Sequence, residues 1–150
     1  HNSEIVIPTL IREMVKLCFL LQRAPADFGN VYISIYEGDS DDTSSTMLEF
    51  FEFVLQKLDI PHTVVRRGNH DAATHRDRIR FLSHLRNVAL KPMYSSGEVK
   101  YDHVIYVNDV FVCASGILEL LIQREFHGAD MACGVDLAVR KGRAYQASLL

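Results

Sequence analysis

Short β-branched runs alternate with longer amphipathic segments along this chain, and this order restricts its possible folds more than any other feature. Three runs are typical of buried strands: "VYISIY" (31–36), "HTVVRR" (62–67) and "HVIYV" (103–107). In the segments around them, apolar residues recur every three or four positions, which predicts helices. The predicted helices are 4–23, about 44–58, 75–90 and 114–126. The alternation predicts an α/β fold, a mostly parallel sheet with helices on both faces.

The third predicted helix and the segment after the fourth helix complete this pattern. On the third helix, Ile79, Leu82 and Leu85 are expected to face inward, and Pro92 is expected to end the helix because its nitrogen cannot donate. The run "ADMACGV" (129–135) is predicted as a further short strand.

Composition limits the classes of partner. The chain has 150 residues, 48% of them hydrophobic and 23% charged, which is typical of one globular domain. The formal net charge of −3 argues against a nucleic-acid-binding protein. Arg12, Glu13 and Lys16 interrupt the longest apolar stretch, so no membrane span is predicted in this chain.

The three cysteines are too few for a disulfide-built scaffold. They are Cys18, Cys113 and Cys133, and they include no CxxC motif. Cys113 and Cys133 could form a bridge in an oxidising compartment, with Cys18 left free on the apolar face of the first helix. The alternative is that Cys113 and Cys133 are buried thiols that behave as small apolar residues.

Polar residues follow the first predicted strand. In parallel α/β folds, ligands bind outside the carboxyl ends of the strands, and "YEGDSDDTSS" (36–45) lies there. Glu37, Asp41 and Asp42 could accept hydrogen bonds from a nucleotide. The alternative is that Asp42, Thr43 or Ser44 caps the next helix. The loop contains neither GxGxxG nor GxxxxGK[ST], so no dinucleotide or P-loop site is predicted.

Asn108 and Asp109 follow the third predicted strand. Their oxygens suit a hard cation, and Mg²⁺ or Mn²⁺ bound to a diphosphate needs only one or two protein carboxylates. The alternative is a cap for the helix near 114. Three apolar residues intervene and separate Asp109 from that helix.

The third predicted helix carries Arg78, Arg86 and Asn87. The forked donors of arginine match the paired oxygens of a diphosphate. The alternative is a solvated helix face.

Several of these segments, taken together and in this order, resemble one family. They are "HNSE", "VYISIYEGDSDDT", "RIRFLSHLRNVAL", "VIYVNDVFVCASGILELL" and "GADMACGVD". The chain resembles the fungal alpha-1,3-mannosyltransferases of the cryptococcal capsule type, glycosyltransferase family 69, over residues 1–136. The "NDVF-C" and "ADM-CG-D" blocks are the most specific.

The resemblance implies a GT-A-like, Rossmann-like catalytic domain that requires Mn²⁺ or Mg²⁺. It implies transfer of mannose from GDP-mannose to a hydroxyl of an alpha-mannoside acceptor, in alpha-1,3 linkage and with retention. It also implies a Golgi or secretory-pathway lumen, with full-length relatives anchored in the membrane.

The same resemblance suggests roles for particular residues. Asp109, with Asn108, corresponds to the metal-binding motif, and Asp130 and Asp136 are catalytic candidates by their place in a shared motif. The residues that correspond to the nucleotide-binding segments are Glu37, Asp41, Asp42, Arg86 and Asn87.

The final segment departs from the family pattern. Residues 1–136 are expected to form the donor-side part of the domain, whereas "LAVRKGRAYQASLL" (137–150) is expected to be a poorly ordered, non-family tail. The sheet is therefore expected to be incomplete at its C-terminus. The alternative to an active enzyme is a non-catalytic, truncated nucleotide-sugar-binding or interaction domain derived from one.

Overall fold

A computed structural model gives the structure of most of the chain. The described residues are 3–23, 30–38, 41–68, 78–95, 101–108, 110–134, 137–140 and 143–146. The chain divides into two compact units between Val112 and Cys113. The first unit contains a short 3-10 helix (Ser3–Ile5), α1 (Ile7–Arg23), β1 (Ile33–Gly38), α2 (Ser44–Lys57), β2 (His62–Gly68) and α3 (Arg78–Ser95). The second contains α4 (Ala114–His127), β3 (Leu137–Arg140) and β4 (Arg143–Gln146).

Strands β1 and β2 pair in parallel, which confirms the α/β prediction. Their register begins with Ile33 opposite His62 and continues to Tyr36 opposite Val65. Helix α2 connects the two strands, as parallel pairing requires. In the described part of the chain this sheet has two strands, so it is smaller than the sheet predicted from the sequence.

Helices cover both faces of the β1–β2 pair. Ile33 and Ile35 pack against the core that α1 and α2 share. Between them, the Ser34 hydroxyl donates to the Ala89 carbonyl of α3, at 2.5 Å. Because successive side chains of a strand point to opposite faces, α3 lies on the face opposite α1 and α2.

The core of the first unit is formed mainly by the apolar faces of α1 and α2. Leu55 is completely buried and Phe51 is 2% exposed. Both helices lie close to the predicted bounds, because the three- and four-residue spacing of their apolar residues encodes a single buried stripe. The buried residues of this cluster are Ile7, Cys18, Leu48, Phe51, Leu55 and Ile60.

The prediction of a third strand at 103–107 is wrong. This segment has no strand partner among the residues that the structure describes, and Val104 and Tyr106 are 55% and 49% exposed. Aromatic side chains connect this segment and the residues before it to the rest of the first unit. The ring of Tyr101 lies edge-on to Tyr32, with centroids 6.1 Å apart, and Arg86 lies over the Tyr106 ring. β-branched composition indicates that a segment can extend, but a strand also needs a paired neighbour.

Two predictions for α3 are also wrong. The helix continues through Pro92 to Ser95, because a proline near the end of a helix removes only one hydrogen bond and the last turn can still form. Ile79 is 80% exposed and Leu82 is 37% exposed, so neither faces inward as predicted, whereas Leu85 is half-buried. The apolar positions of this helix therefore identified its buried face only in part.

In the second unit, α4 is confirmed. Ala114, Ile117 and Leu121 form its buried stripe, and Gly128 ends it in the left-handed conformation that glycine adopts most easily. No strand forms over 129–134, which contradicts the prediction for that part of "ADMACGV".

Strands β3 and β4 pair antiparallel within the segment that the sequence analysis sets apart as a poorly ordered tail. Leu137 lies opposite Gln146 and Arg140 opposite Arg143. Some of the residues between 137 and 146 are therefore paired.

Both alternatives for Cys113 and Cys133 are wrong in this structure. The two thiols are free, and both residues are exposed. Cys18 is free and buried, and burial raises the pKa of its thiol.

Candidate functional site

A β-bulge lies at the carboxyl ends of β1 and β2. Tyr36 pairs with Val65 and Gly38 pairs with Gly68, so Glu37 alone faces two residues of β2, Arg66 and Arg67. The backbone of Arg67 is left-handed, with φ of 51°. For a residue other than glycine, this conformation costs about 1–2 kcal/mol. Bulges reorient side chains, and strained residues of this kind are concentrated at functional sites.

The buried carboxylate of Glu37 stabilises the bulge. Glu37 is 8% exposed, and its Oε2 accepts a hydrogen bond from the backbone N–H of Arg67 at 3.0 Å. A ladder hydrogen bond lost at a bulge is thus replaced by a bond to a side chain. Glu37 was predicted to bind nucleotide, and in this structure it orients the end of β2.

Tyr36 lies directly over Gly68. A Cβ on Gly68 would come within 2.3 Å of Cζ of the Tyr36 ring, so glycine leaves the space that the phenol occupies. Burial raises the pKa of Tyr36, and the neighbouring charge of Glu37 raises it further. The phenol is therefore neutral and able to donate a hydrogen bond at physiological pH.

The two arginines of the bulge have different surroundings. The guanidinium of Arg66 pairs with Glu49 at 3.1 Å and with Glu52 at 3.3 Å. Arg67 is exposed, and its guanidinium has no ion-pair or hydrogen-bond partner among the residues that the structure describes. An open depression of about 660 Å³ lies beside both arginines. It is lined by Ser45, Thr46, Glu49, Val64, Val65, Arg66 and Arg67.

Of the three capping residues proposed, Thr43 is the N-cap of α2 but makes no side-chain capping bond, whereas the Asp42 carboxylate bonds to the first residue of the helix. Its Oδ1 accepts the N–H of Ser44 at 2.9 Å, and its Oδ2 accepts the N–H of Glu4 at 3.4 Å. Asp41 is exposed beside it. The Ser44 hydroxyl is fully buried and has no hydrogen-bond partner in the described part of the chain. The polar loop therefore contributes to the fold, whatever it binds.

The remaining predicted nucleotide and metal residues of the first unit lie on α3 and in the segment 101–108. Arg86 lies 5.6 Å from the centroid of the Tyr106 ring, and Asn87 is exposed. Asn108 is exposed, and its carbonyl accepts the N–H of Val110 at 2.8 Å. The contact of Arg86 thus connects α3 to the segment that leads to Asn108.

The other predicted site residues are distributed over both units, and two of them lie outside the described ranges. Asp109 and Asp136 are outside them. Asp130 is exposed, and its backbone carbonyl accepts a bond from Nε of Arg124 at 3.4 Å. Arg78 begins α3. Within the described ranges, no three His, Cys, Asp or Glu side chains are grouped so as to hold a metal ion.

The sequence analysis missed Tyr36, Arg67 and Gly68. The basic run "VVRRGNH" contains two of them, and a glycine directly after a β-branched strand is a signal of a bulge or close contact. No sequence feature distinguishes Arg66, which pairs with two glutamates, from Arg67, which has no ion-pair partner in the described part of the chain.

Comparison with known proteins decides the family. The family model described as "Cryptococcal mannosyltransferase 1" matches residues 1–147. The chain belongs to this family. The match confirms the resemblance drawn from the sequence motifs, and it includes most of the segment that we set apart as a tail.

A curated relative supports the same family. The chain is 31% identical over 151 aligned positions to alpha-1,3-mannosyltransferase CMT1 of Cryptococcus neoformans var. neoformans serotype D. The alignment covers 91% of this chain and 30% of the relative, so the chain spans about a third of the relative's length. No solved structure matches this member of the cryptococcal mannosyltransferase family. Among its described residues, no helix is both long and apolar enough to cross a bilayer.

Proposed function

We propose that this chain forms the donor-side part of a metal-dependent mannosyltransferase. It would bind GDP-mannose for transfer of mannose to an alpha-mannoside hydroxyl in alpha-1,3 linkage, in the Golgi or secretory lumen. Family membership supports mannosyl transfer. The observation that most supports a ligand site is the bulged edge of β1 and β2, because ligands of parallel α/β sheets bind there.

Asn108 and Asp109 would hold the cation. The Asn108 side chain is exposed and offers a hard oxygen ligand, while the argument for Asp109 comes from sequence alone. A bound Mn²⁺ or Mg²⁺ supplies neutralising charge to the diphosphate leaving group. The residues of this chain would orient the donor, and positioning supplies much of the rate enhancement in group transfer.

The nucleotide would lie across the carboxyl ends of β1 and β2, against the β1–α2 loop and α3. Asp41 is exposed in that loop, and Arg86 and Asn87 are exposed on α3. Glu37 and Asp42 would act by shaping the site, because their carboxylates bond to backbone N–H groups. Asp130 and Asp136 remain candidates for the catalytic carboxylate.

Calorimetric titration with GDP, with and without Mn²⁺, tests this proposal. We expect GDP to bind in the presence of Mn²⁺. The Asp109→Asn variant should lose this Mn²⁺-dependent binding of GDP without a change in melting temperature. If the unaltered chain does not bind GDP under either condition, the donor-side assignment is wrong. Transfer of labelled mannose to an alpha-mannoside then separates an enzyme from a binding domain.

A further inference from the structure

We propose that Arg67 binds the diphosphate of the nucleotide-sugar, in the depression between α2 and β2, and that Glu37 is its positioning residue. The proposal names a phosphate-binding residue and therefore rests on the proposed function. It begins from the β-bulge, where the chain maintains an unfavourable left-handed conformation at an arginine.

Several contacts maintain this conformation at the strand ends. The Glu37 carboxylate accepts the N–H of Arg67, and the Tyr36 ring occupies the space over Gly68. A surface arginine without a function does not need a buried carboxylate to orient its backbone. Because the bulge adds a residue to β2, it turns Arg67 away from the regular alternation of the strand.

Arg66 and Arg67 differ in whether their charge is already engaged. Arg66 pairs with both Glu49 and Glu52, so its single positive charge offsets one of these two carboxylates and is not available to a ligand. Arg67 is left with an exposed guanidinium that has no partner within the described ranges. The hydroxyls of Ser45 and Thr46 line the same depression and can donate to phosphate oxygens.

An arginine matches this ligand better than a lysine would. Its planar fork donates two parallel hydrogen bonds to oxygens of a phosphate, and such charge-assisted pairs are the stronger class of hydrogen bond. The two arginines of "VVRRGNH" thus have different roles: Arg66 pairs with acidic side chains of α2, and Arg67 contacts the ligand.

The decisive variant is Arg67→Gly, because glycine adopts a left-handed backbone without strain. We expect its melting temperature to rise, and its affinities for GDP with Mn²⁺ and for inorganic pyrophosphate to fall about tenfold or more. A purely structural arginine cannot give higher stability together with weaker phosphate binding.

Two controls match this variant. Asp59 is the other left-handed residue that is not glycine in the described chain, with φ of 54°. Asp59→Gly should raise the melting temperature and leave both affinities within about twofold. Arg23→Gln removes the same charge from the exposed end of α1, and it should also leave both affinities unchanged.

Comparison of two substitutions tests whether Glu37 positions Arg67. Glu37→Gln retains an oxygen that can accept the N–H of Arg67, whereas Glu37→Ala does not. Pyrophosphate affinity should fall in Glu37→Ala and be largely retained in Glu37→Gln.

The results distinguish this proposal from the proposed function. If GDP does not bind but pyrophosphate binds and requires Arg67, the anion site stands and the nucleotide assignment fails. If Arg67→Gly binds both ligands as tightly as the unaltered chain, or if pyrophosphate does not bind at all, the role of Arg67 is refuted.

Discussion

Replacing Gly68 with alanine should destabilise the first unit through one contact, the Tyr36 ring. A Cβ at position 68 would lie 2.1 Å from the Tyr36 hydroxyl oxygen and 2.3 Å from Cζ, well inside van der Waals contact. The phenol must therefore leave its place. The backbone itself accepts alanine, because Gly68 is not among the residues with positive φ.

The expected magnitude has two parts of opposite sign. Forcing an extra carbon into a packed site costs about 1–3 kcal/mol. Alanine also restricts the unfolded chain, which stabilises the fold by about 0.4–1 kcal/mol. The net loss lies between about 0 and 2.6 kcal/mol, with about 1 kcal/mol near the middle of that range. For a unit of this size, each kcal/mol lowers the melting temperature by about 4 °C.

A double-mutant cycle with Tyr36→Ala isolates the contact. Without the ring, only the effect on the unfolded chain remains, so Gly68→Ala should become stabilising by about 0.4–1 kcal/mol. Denaturant unfolding followed by circular dichroism measures all four proteins. If Gly68→Ala has the same effect with and without Tyr36, the ring does not exclude a side chain at position 68, and our reasoning about this contact is wrong.

Because of the same tyrosine, the free energy of unfolding should fall at alkaline pH. Burial and the charge of Glu37 raise the pKa of Tyr36 in the folded chain, so the folded state keeps this proton up to a higher pH than the unfolded state does. The resulting stability is present in full below the ordinary tyrosine pKa of about 10. It is lost as the pH rises through the higher folded value. Tyr36→Phe should therefore lose less unfolding free energy than the unaltered chain between about pH 9 and 11, and equal losses would contradict the assignment.

Two further predictions concern packing and thiol reactivity. Leu55→Ala, at a completely buried position, should lower the free energy of unfolding by about 2–5 kcal/mol. Phe53→Ala, at a position 53% exposed on the same helix, should lower it by about 1 kcal/mol or less. Chemical denaturation measures both, and equal losses would contradict the core assignment. Iodoacetamide should modify the exposed Cys113 and Cys133 rapidly and Cys18 slowly, because burial shields the Cys18 thiol and raises its pKa. Peptide mass spectrometry follows the reaction. A Cys113–Cys133 disulfide would show that the second unit is arranged differently.

The structure changes how the predicted site residues are interpreted. Asp42 was proposed either as a nucleotide ligand or as a cap, and its carboxylate accepts the N–H of Ser44, the first residue of α2. Glu37 was correctly placed at the end of β1, but its bond to Arg67 could not be foreseen. A residue type at a strand end indicates that polar chemistry is possible there, while the partner of that residue depends on how a second strand is aligned.

The sequence by itself determined α1, α2, α4, the parallel β1–β2 pair and the family, because these depend on local periodicity and on motif order. Only the tertiary structure decided the rest. The segment 103–107 has no strand partner in the described chain, and the β-bulge gives Arg67 different surroundings from Arg66. Periodicity along the chain shows which face of an element is apolar, but it contains no information about register. The bond between Glu37 and Arg67 joins residues thirty positions apart, so it exists only once β1 and β2 have aligned.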